Sequence, residues 1–317
     1  LRLVGSEMCI RDSENPACSV ESVPVSVNDR TRFIYEAACC GLRDFFVKNG
    51  YKKACVGVSG GIDSAVVACL AVAALGAENV RGLMMPSQFS SEGSVEDAKQ
   101  LAENLGIEFH VVPITEAYRS IVDTLIPVIG GTDFDATEEN IQSRIRTLML
   151  MALQNKNGYV LLNCSNKSEN ALGICTLYGD TGGAFSVTGD LYKTEMYDLA
   201  RYINRKFGAP IPENILTKEP SSELRPNQKD SDMLPSYEVV DAILYRLIED
   251  GQSREEIINA GFDSDEVQKI YAMVMRNEKK RFQYPPVLRL SSSSFGHEYR
   301  ICLLYTSPSP RDGATSR

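Results

Sequence analysis

The chain has 317 residues, 43% of them hydrophobic and 24% charged, which excludes a fibrous or wholly disordered protein. Its formal net charge of −9 opposes general attraction to a phosphate backbone, so nonspecific nucleic-acid binding is not expected and any anionic ligand must meet local positive charge. Nine cysteines at irregular spacings suit reduced thiols in a cytoplasmic protein, while His110 and His297, the only histidines, are too few for a histidine metal centre or a Ser/His/Asp triad and read as structural or surface residues.

Residues 1–13 (LRLVGSEMCIRDS) show neither helical nor strand period and lack the apolar centre of a signal peptide. Together with the Ser/Pro-rich residues 302–317 they look like translated adaptor sequence around an assembled fragment, ordinary disordered ends being the alternative. Residues 14–30 read as a linker and 31–300 as one domain. Its first strand is expected at 53–58, followed by a tight turn and an apolar helix over 64–75 that Gly76 ends. A second strand covers 80–85. The next helix carries Val95, Ala98, Leu101, Ala102 and Leu105 at helical spacing and closes at Gly106. Strands follow at 109–112 and 159–163, with a long helix over 138–154 between them and another over 193–207 that ends at Gly208. From Pro210 prolines and charges mark a long loop, and 237–281 reads as helical. The apolar run at 65–77 falls short of the ~20 residues a membrane-spanning helix needs, so no membrane segment is expected. Short β-rich runs alternating with helices predict an α/β fold: a doubly wound parallel sheet with helices on both faces, a helical C-terminal part, and the ligand at the carboxyl edge of the strands.

The string VSGGIDS at 58–64 lies between the first strand and its helix. Gly60 and Gly61 permit close backbone approach, free amides at the helix start attract an anion, and Ser59 and Ser64 add hydroxyls. The glycines alone would equally suit a structural turn. The lysine of a GxxxxGK[ST] loop is missing. The whole string resembles the SGGxDS pyrophosphate loop of the ATP-pyrophosphatase superfamily, whose members cleave ATP between the α and β phosphates and activate a substrate as its adenylate. Such chemistry calls for a hard divalent cation on carboxylates. Asp63 offers one, unless it serves only the helix dipole. Glu169, in NCSNKSE at 163–169 where the fourth strand gives way to a loop, offers the second.

In ENIQSRIR at 139–146, Asn140, Ser143 and Arg144 share a helix face; a guanidinium suits phosphates and carboxylates, and a solvated arginine is the plainer reading. Taken with TLYGD at 176–180, GDLYKTE at 189–195, KEPSSELRP at 218–226, NEKKR at 277–281 and PPVLR at 285–289, these strings resemble NAD synthetase in order and content from about residue 31 to 300. The resemblance is to the synthetase half of the glutamine-dependent, two-domain branch, and it implies an adenine nucleotide alpha hydrolase-like fold. It further implies that ATP adenylates the nicotinate carboxylate of deamido-NAD and that ammonia then displaces AMP.

Carried over by motif, Gly57, Ser59, Gly60, Gly61, Asp63 and Ser64 cradle ATP together with Cys164, Lys193 and Ser221. Asp63 and Glu169 hold Mg2+, catalysis rests on these two and Lys193, and Asn140, Arg144, Asp180, Lys279 and Lys280 hold deamido-NAD. Small ammonia-dependent members usually carry threonine at positions 164 and 221, lysine at 177 and histidine at 279, where this sequence has Cys164, Ser221, Leu177 and Lys279. The branch implies a nitrilase-like glutaminase domain before residue 31, expected here to be lost from the fragment, with ammonia from outside as the alternative. A homo-oligomer, at least a dimer, is also implied. Competing readings are a GMP synthetase-like amidotransferase or a tRNA-modifying enzyme of the same superfamily, which would share the loop but lack the later strings, and a truncated, non-catalytic nucleotide-binding fragment.

Overall fold

The computed structural model describes residues 27–130, 133–226, 228–296 and 299; the two adaptor-like segments and His297 lie outside them. The chain divides into two compact units, Leu1–Arg30 and Thr31–Arg317, and the second holds the sheet and the candidate site. Five parallel strands, β1 (Lys53–Gly57), β2 (Val80–Met84), β3 (Glu108–Val111), β4 (Tyr159–Asn163) and β5 (Phe185–Ser186), lie in the order β3-β2-β1-β4-β5. The register sets Ala54 beside Val80 on one side and Val160 on the other.

The pleat explains why helices cover both faces. Ala54, Val56, Val160 and Leu162 point to one side, while Cys55, Tyr159 and Leu161 point to the other, so the central strands β1 and β4 are largely apolar on both faces and must be buried twice. On the first face pack α1 (Val27–Asn49), α2 (Ile62–Leu75), α3 (Glu92–Leu105) and α7 (Lys193–Phe207). The second face is covered by α4 (Thr115–Ile129) and α5 (Ala136–Asn157), through Tyr118, Ile141, Ile145 and Leu150. A separate apolar cluster joins α6 (Lys167–Leu172) to α9 (Tyr237–Ile248), α10 (Arg254–Asn259) and α11 (Ser264–Arg276), with α12 (Glu278–Arg281) following. This is the expected doubly wound sheet with a helical C-terminal part. Chain order reverses between β1 and β4, which opens a crevice at their carboxyl ends.

Five elements depart from expectation. α1 begins at Val27, inside the stretch read as linker, and buries Tyr35, Ala38, Leu42 and Phe46 at helical spacing. α4 was not expected; it contains Pro127, fully buries only Tyr118, and packs Ala117, Ile121, Val122 and Leu125 half-buried against the second face. The loop expected after β4 is α6, one short helix capped by Asn166, whose side chain accepts from the Glu169 amide at 2.9 Å. The Pro-rich stretch after residue 210 contains α8 (Glu213–Thr217). β5 is only two residues long, and its edge is continued by the later chain: the Ser186 amide donates to the Pro286 carbonyl and Leu288 donates back to Ser186. Beyond that pairing, Asp190 accepts from the amides of Leu290 and Ser291.

Among the described residues no helix is long and apolar enough to cross a membrane. Six free cysteines lie among them, and burial pushes the Cys55 and Cys69 thiols up to about 12. His110 sits exposed beside Glu108, 2.9 Å away.

Candidate active site

β1 delivers the chain to the crevice at Gly57, and α2 begins five residues later at Ile62. Between them Gly60 holds φ +78°, and a Cβ there would stand 2.2 Å from the Ser94 carbonyl oxygen, so the turn accepts only glycine at this point. Its own hydroxyls brace it: Ser64 Oγ accepts from the Ser59 amide at 3.1 Å and donates to the Gly61 carbonyl at 3.0 Å, and Ser59 Oγ accepts from the Gly61 amide. No side chain caps α2. Its first amides are therefore left to an incoming anion.

Asp63 extends from the first turn of α2. Asn166, while capping α6, donates to Asp63 Oδ1 at 3.0 Å, which ties the turn to the helix that carries Glu169. Lys193, the first residue of α7, donates from Nζ to Asp63 Oδ2 at 2.6 Å and to Glu169 Oε1 at 3.4 Å. Burial opposes the Lys193 ammonium, but the charges of Asp63 and Glu169 outweigh it and its pKa is raised. Burial pushes the Glu169 carboxyl up; Lys193 pulls it down and Asp63 pushes it up again.

One ammonium faces two carboxylate groups, of which Glu169 is the one whose charge burial disfavours. Among the described residues no group of three or more His, Cys, Asp or Glu is arranged for a metal. The protein donors available here are thus two hard carboxylates, which fit a magnesium ion that keeps water and phosphate oxygens as its remaining ligands.

These groups open into a cavity of about 330 Å³ at the carboxyl ends of β1, β2 and β4. Of the residues expected around ATP, Gly57, Ser59, Gly61, Asp63, Ser64, Cys164, Lys193 and Ser221 line it, as does Glu169, expected at Mg2+; Gly60 shapes the turn instead. Burial, then the charges of Asp63 and Glu169, push the Cys164 thiol up, so it is a neutral wall atom. The segment bearing Ser221 crosses the mouth. It is pinned by Glu223, whose carboxylate accepts from the Ser91 and Ser94 hydroxyls at 2.8 Å, and by Lys218, which reaches Ser94 and Asp97.

The residues expected around deamido-NAD form a different group. Asn140 accepts from Thr176 Oγ1 at 2.7 Å, Arg144 Nε donates to the Leu177 carbonyl at 3.1 Å, and Lys280 donates to the carbonyls of Gly173 and Cys175. All three hold the 173–181 loop. Asp180, whose Oδ1 accepts from the Thr176 amide, alone reaches the cavity wall; burial pushes its carboxyl up to about 6 against the pull of that amide and of Lys280. Arg144 and Lys279 are exposed.

The arginine that does line the cavity is Arg146, which the motif reading passed over. Its Nε donates to the Met85 carbonyl at 2.9 Å, and burial lowers its pKa to about 10, which leaves it charged at neutral pH. Ser143, Arg146, Thr147 and Leu150 all line the cavity, and their spacing marks one face of α5. Lys218, Glu223 and Asp230 are further lining residues that the motifs did not single out.

Residues 34–284 match the family model described as NAD synthase. The chain belongs to the NAD synthase family. It is 52% identical over 268 residues to a glutamine-dependent NAD(+) synthetase of Aquifex aeolicus, covering 84% of this chain and 47% of that one. With the Thermotoga maritima enzyme of the same description it shares 47% identity over 273 residues, 86% of this chain and 47% of the relative. This family member therefore spans about half the length of the curated relatives it matches. Among solved structures, the glutamine-dependent NAD+ synthetase of Acinetobacter baumannii in complex with ADP shares 41% identity and a TM-score of 0.60, covering 89% of this chain and 50% of that one. Two shorter relatives are matched over 95% of their length and 79% of this chain. They are the NH3-dependent NAD synthetase of Campylobacter jejuni, at 30% identity and TM-score 0.63, and the NMN synthetase of Francisella tularensis, at 26% and 0.68.

Proposed function

We propose that this NAD synthase family member amidates the nicotinate carboxylate of deamido-NAD at the expense of ATP, through an adenylated carboxylate that ammonia resolves, releasing AMP and pyrophosphate. The observation that carries the reading is the Lys193 ammonium set between Asp63 and Glu169 at the mouth of the glycine turn. A neutral or sealed cluster would have no use for a triphosphate. This one offers carboxylate oxygens to a magnesium ion and an ammonium to the phosphates beside it.

In this reading the amides and hydroxyls of the 59–64 turn receive the pyrophosphate half of ATP. Asp63 and Glu169 hold Mg2+, which when bound supplies positive charge to the departing pyrophosphate. Lys193, released from part of its carboxylate contact, turns toward the phosphates, and Arg146 and Lys218 add charge from the far walls. The 173–181 loop and the residues that hold it present the dinucleotide, with Asp180 at the boundary. No side chain is required as a nucleophile, so the rate rests on positioning and on charge stabilisation. A homodimer belongs to the same reading and is checked by light scattering.

The test supplies purified protein with ATP, magnesium, deamido-NAD and ammonium and follows NAD, AMP and pyrophosphate. Product formation at a 1:1 ratio of NAD to AMP is expected. Replacing ammonium by glutamine identifies the nitrogen source. Faster turnover on nicotinate mononucleotide or on xanthosine monophosphate would overturn the choice of substrate, and ATP breakdown indifferent to deamido-NAD would overturn the reaction.

A further inference from the structure

α7 caps only part of its own start, where Glu195 accepts from the Tyr192 amide at 3.0 Å. Tyr192 precedes it and contributes no capping side chain, yet Lys193 is its first residue, so whatever satisfies the opening amides also sets where the ammonium is launched. Two other elements supply the acceptors. Ser168 Oγ, on α6, accepts from the Lys193 amide at 2.9 Å, and Asp241 Oδ2, on α9, accepts from the Thr194 amide at 2.8 Å. Because an amide can only donate, the Ser168 hydroxyl proton is left to point at Asp241 Oδ1, with which it makes a short hydrogen bond. Ser168 is fully buried and Asp241 nearly so, and Ser168 directly precedes Glu169. One carboxylate from the helical C-terminal part thus holds the backbone of Lys193 and the backbone of Glu169 in a single network. An anion at this helix start is also favoured by the helix dipole.

We propose that Asp241 and Ser168 are positioning residues that fix Lys193 against Glu169 and Asp63, for the reaction assigned above, on which this inference rests. Neither residue lines the cavity. Replacing them removes no ligand-facing atom and changes only where those atoms stand, which bears on the transition state more than on ATP binding.

The whole chain is assayed as wild type, Ser168→Ala, Ser168→Thr and Asp241→Asn, with steady-state NAD formation beside ATP affinity by titration calorimetry without deamido-NAD. Ser168→Ala and Asp241→Asn are expected to lower kcat roughly 30–100-fold while the ATP Kd stays within about threefold, the range that a displacement on the order of 1 Å produces. Ser168→Thr restores the hydroxyl and returns kcat to within about fivefold of wild type. An unchanged kcat in both variants overturns the inference. So does an equal loss of kcat and ATP affinity, which is what a general loosening of the fold would give. If Asp241→Asn does not fold, Ser168→Ala with its threonine rescue decides alone. A wild-type chain that binds ATP and forms no NAD overturns the assigned reaction, and this inference with it; an active wild type beside active variants overturns the inference only.

Discussion

Lys167, at the start of α6, and Lys193, at the start of α7, each place a buried ammonium between two carboxylates: Asp190 and Glu249 for the first, Asp63 and Glu169 for the second. Around Lys167 the cluster is closed. Ser291 Oγ and the Ser293 carbonyl accept at 2.7 and 2.8 Å, the rings of Tyr192 and Phe295 lie over the ammonium, and the Asp190 and Glu249 side chains are 0% and 2% exposed. Around Lys193 it is open. Asp63 and Glu169 keep 18% and 23% exposure, toward the cavity. The same trio of charges is a strut where the protein supplies every partner and a site where some are left for a ligand.

Three measurements can break or sharpen this contrast. Lys167→Met would leave Asp190 and Glu249 buried without their cation, and urea unfolding should show a loss of roughly 3–5 kcal/mol. A loss under about 1 kcal/mol would mean that the cluster is no strut. Lys193→Met should instead lower kcat by on the order of 10²–10³, the range for removing one group that stabilises transition-state charge, with an unfolding midpoint close to wild type. A stability loss as large as that of Lys167→Met would erase the distinction.

The smallest effect concerns Asp180 on the wall of the open site. Its carboxyl titrates at about 6 in the folded chain against an ordinary 3.8. Between those values the native state holds more protons than the unfolded one, so stability is lost as pH rises through the window. Asp180→Asn removes that slope. Asp180 is exposed at the cavity wall, so solvent screening cuts the gain on wild type to on the order of 0.5 kcal/mol as urea curves are taken from pH 4 to pH 7. A difference constant with pH would show that the carboxyl is not held up by burial.

The strands β1, β2 and β4 and the helices α2, α3 and α7 were legible because long apolar runs and terminal glycines mark them. β5, α6 and α8 were not, being too short to show a period and held by partners far along the chain, such as Pro286 for Ser186. In the candidate site the contiguous string at 58–64 disclosed its turn outright, and Asp63, Glu169 and Lys193 meet as the motifs suggested. Arg144, expected at deamido-NAD, is exposed, while Arg146, which the motifs did not single out, lines the cavity. Two residues on one helix are about 200° apart, and a motif does not say which faces the sheet. The face shared with Ser143, Thr147 and Leu150 would have picked Arg146. Asp241 and Ser168 were unreadable for another reason, since their importance lies in a link spanning 73 positions.

The capture of Leu290 and Ser291 by Asp190, a hundred residues earlier, also has a bearing on how the protein is made. While a ribosome still shields the neighbourhood of residue 290, Lys167 lacks the serine hydroxyl and carbonyl that complete its shell, and α6 is not yet locked. Docking of residues 290–293, rather than formation of the sheet, is then the step that completes the Lys167 cluster and fixes α6.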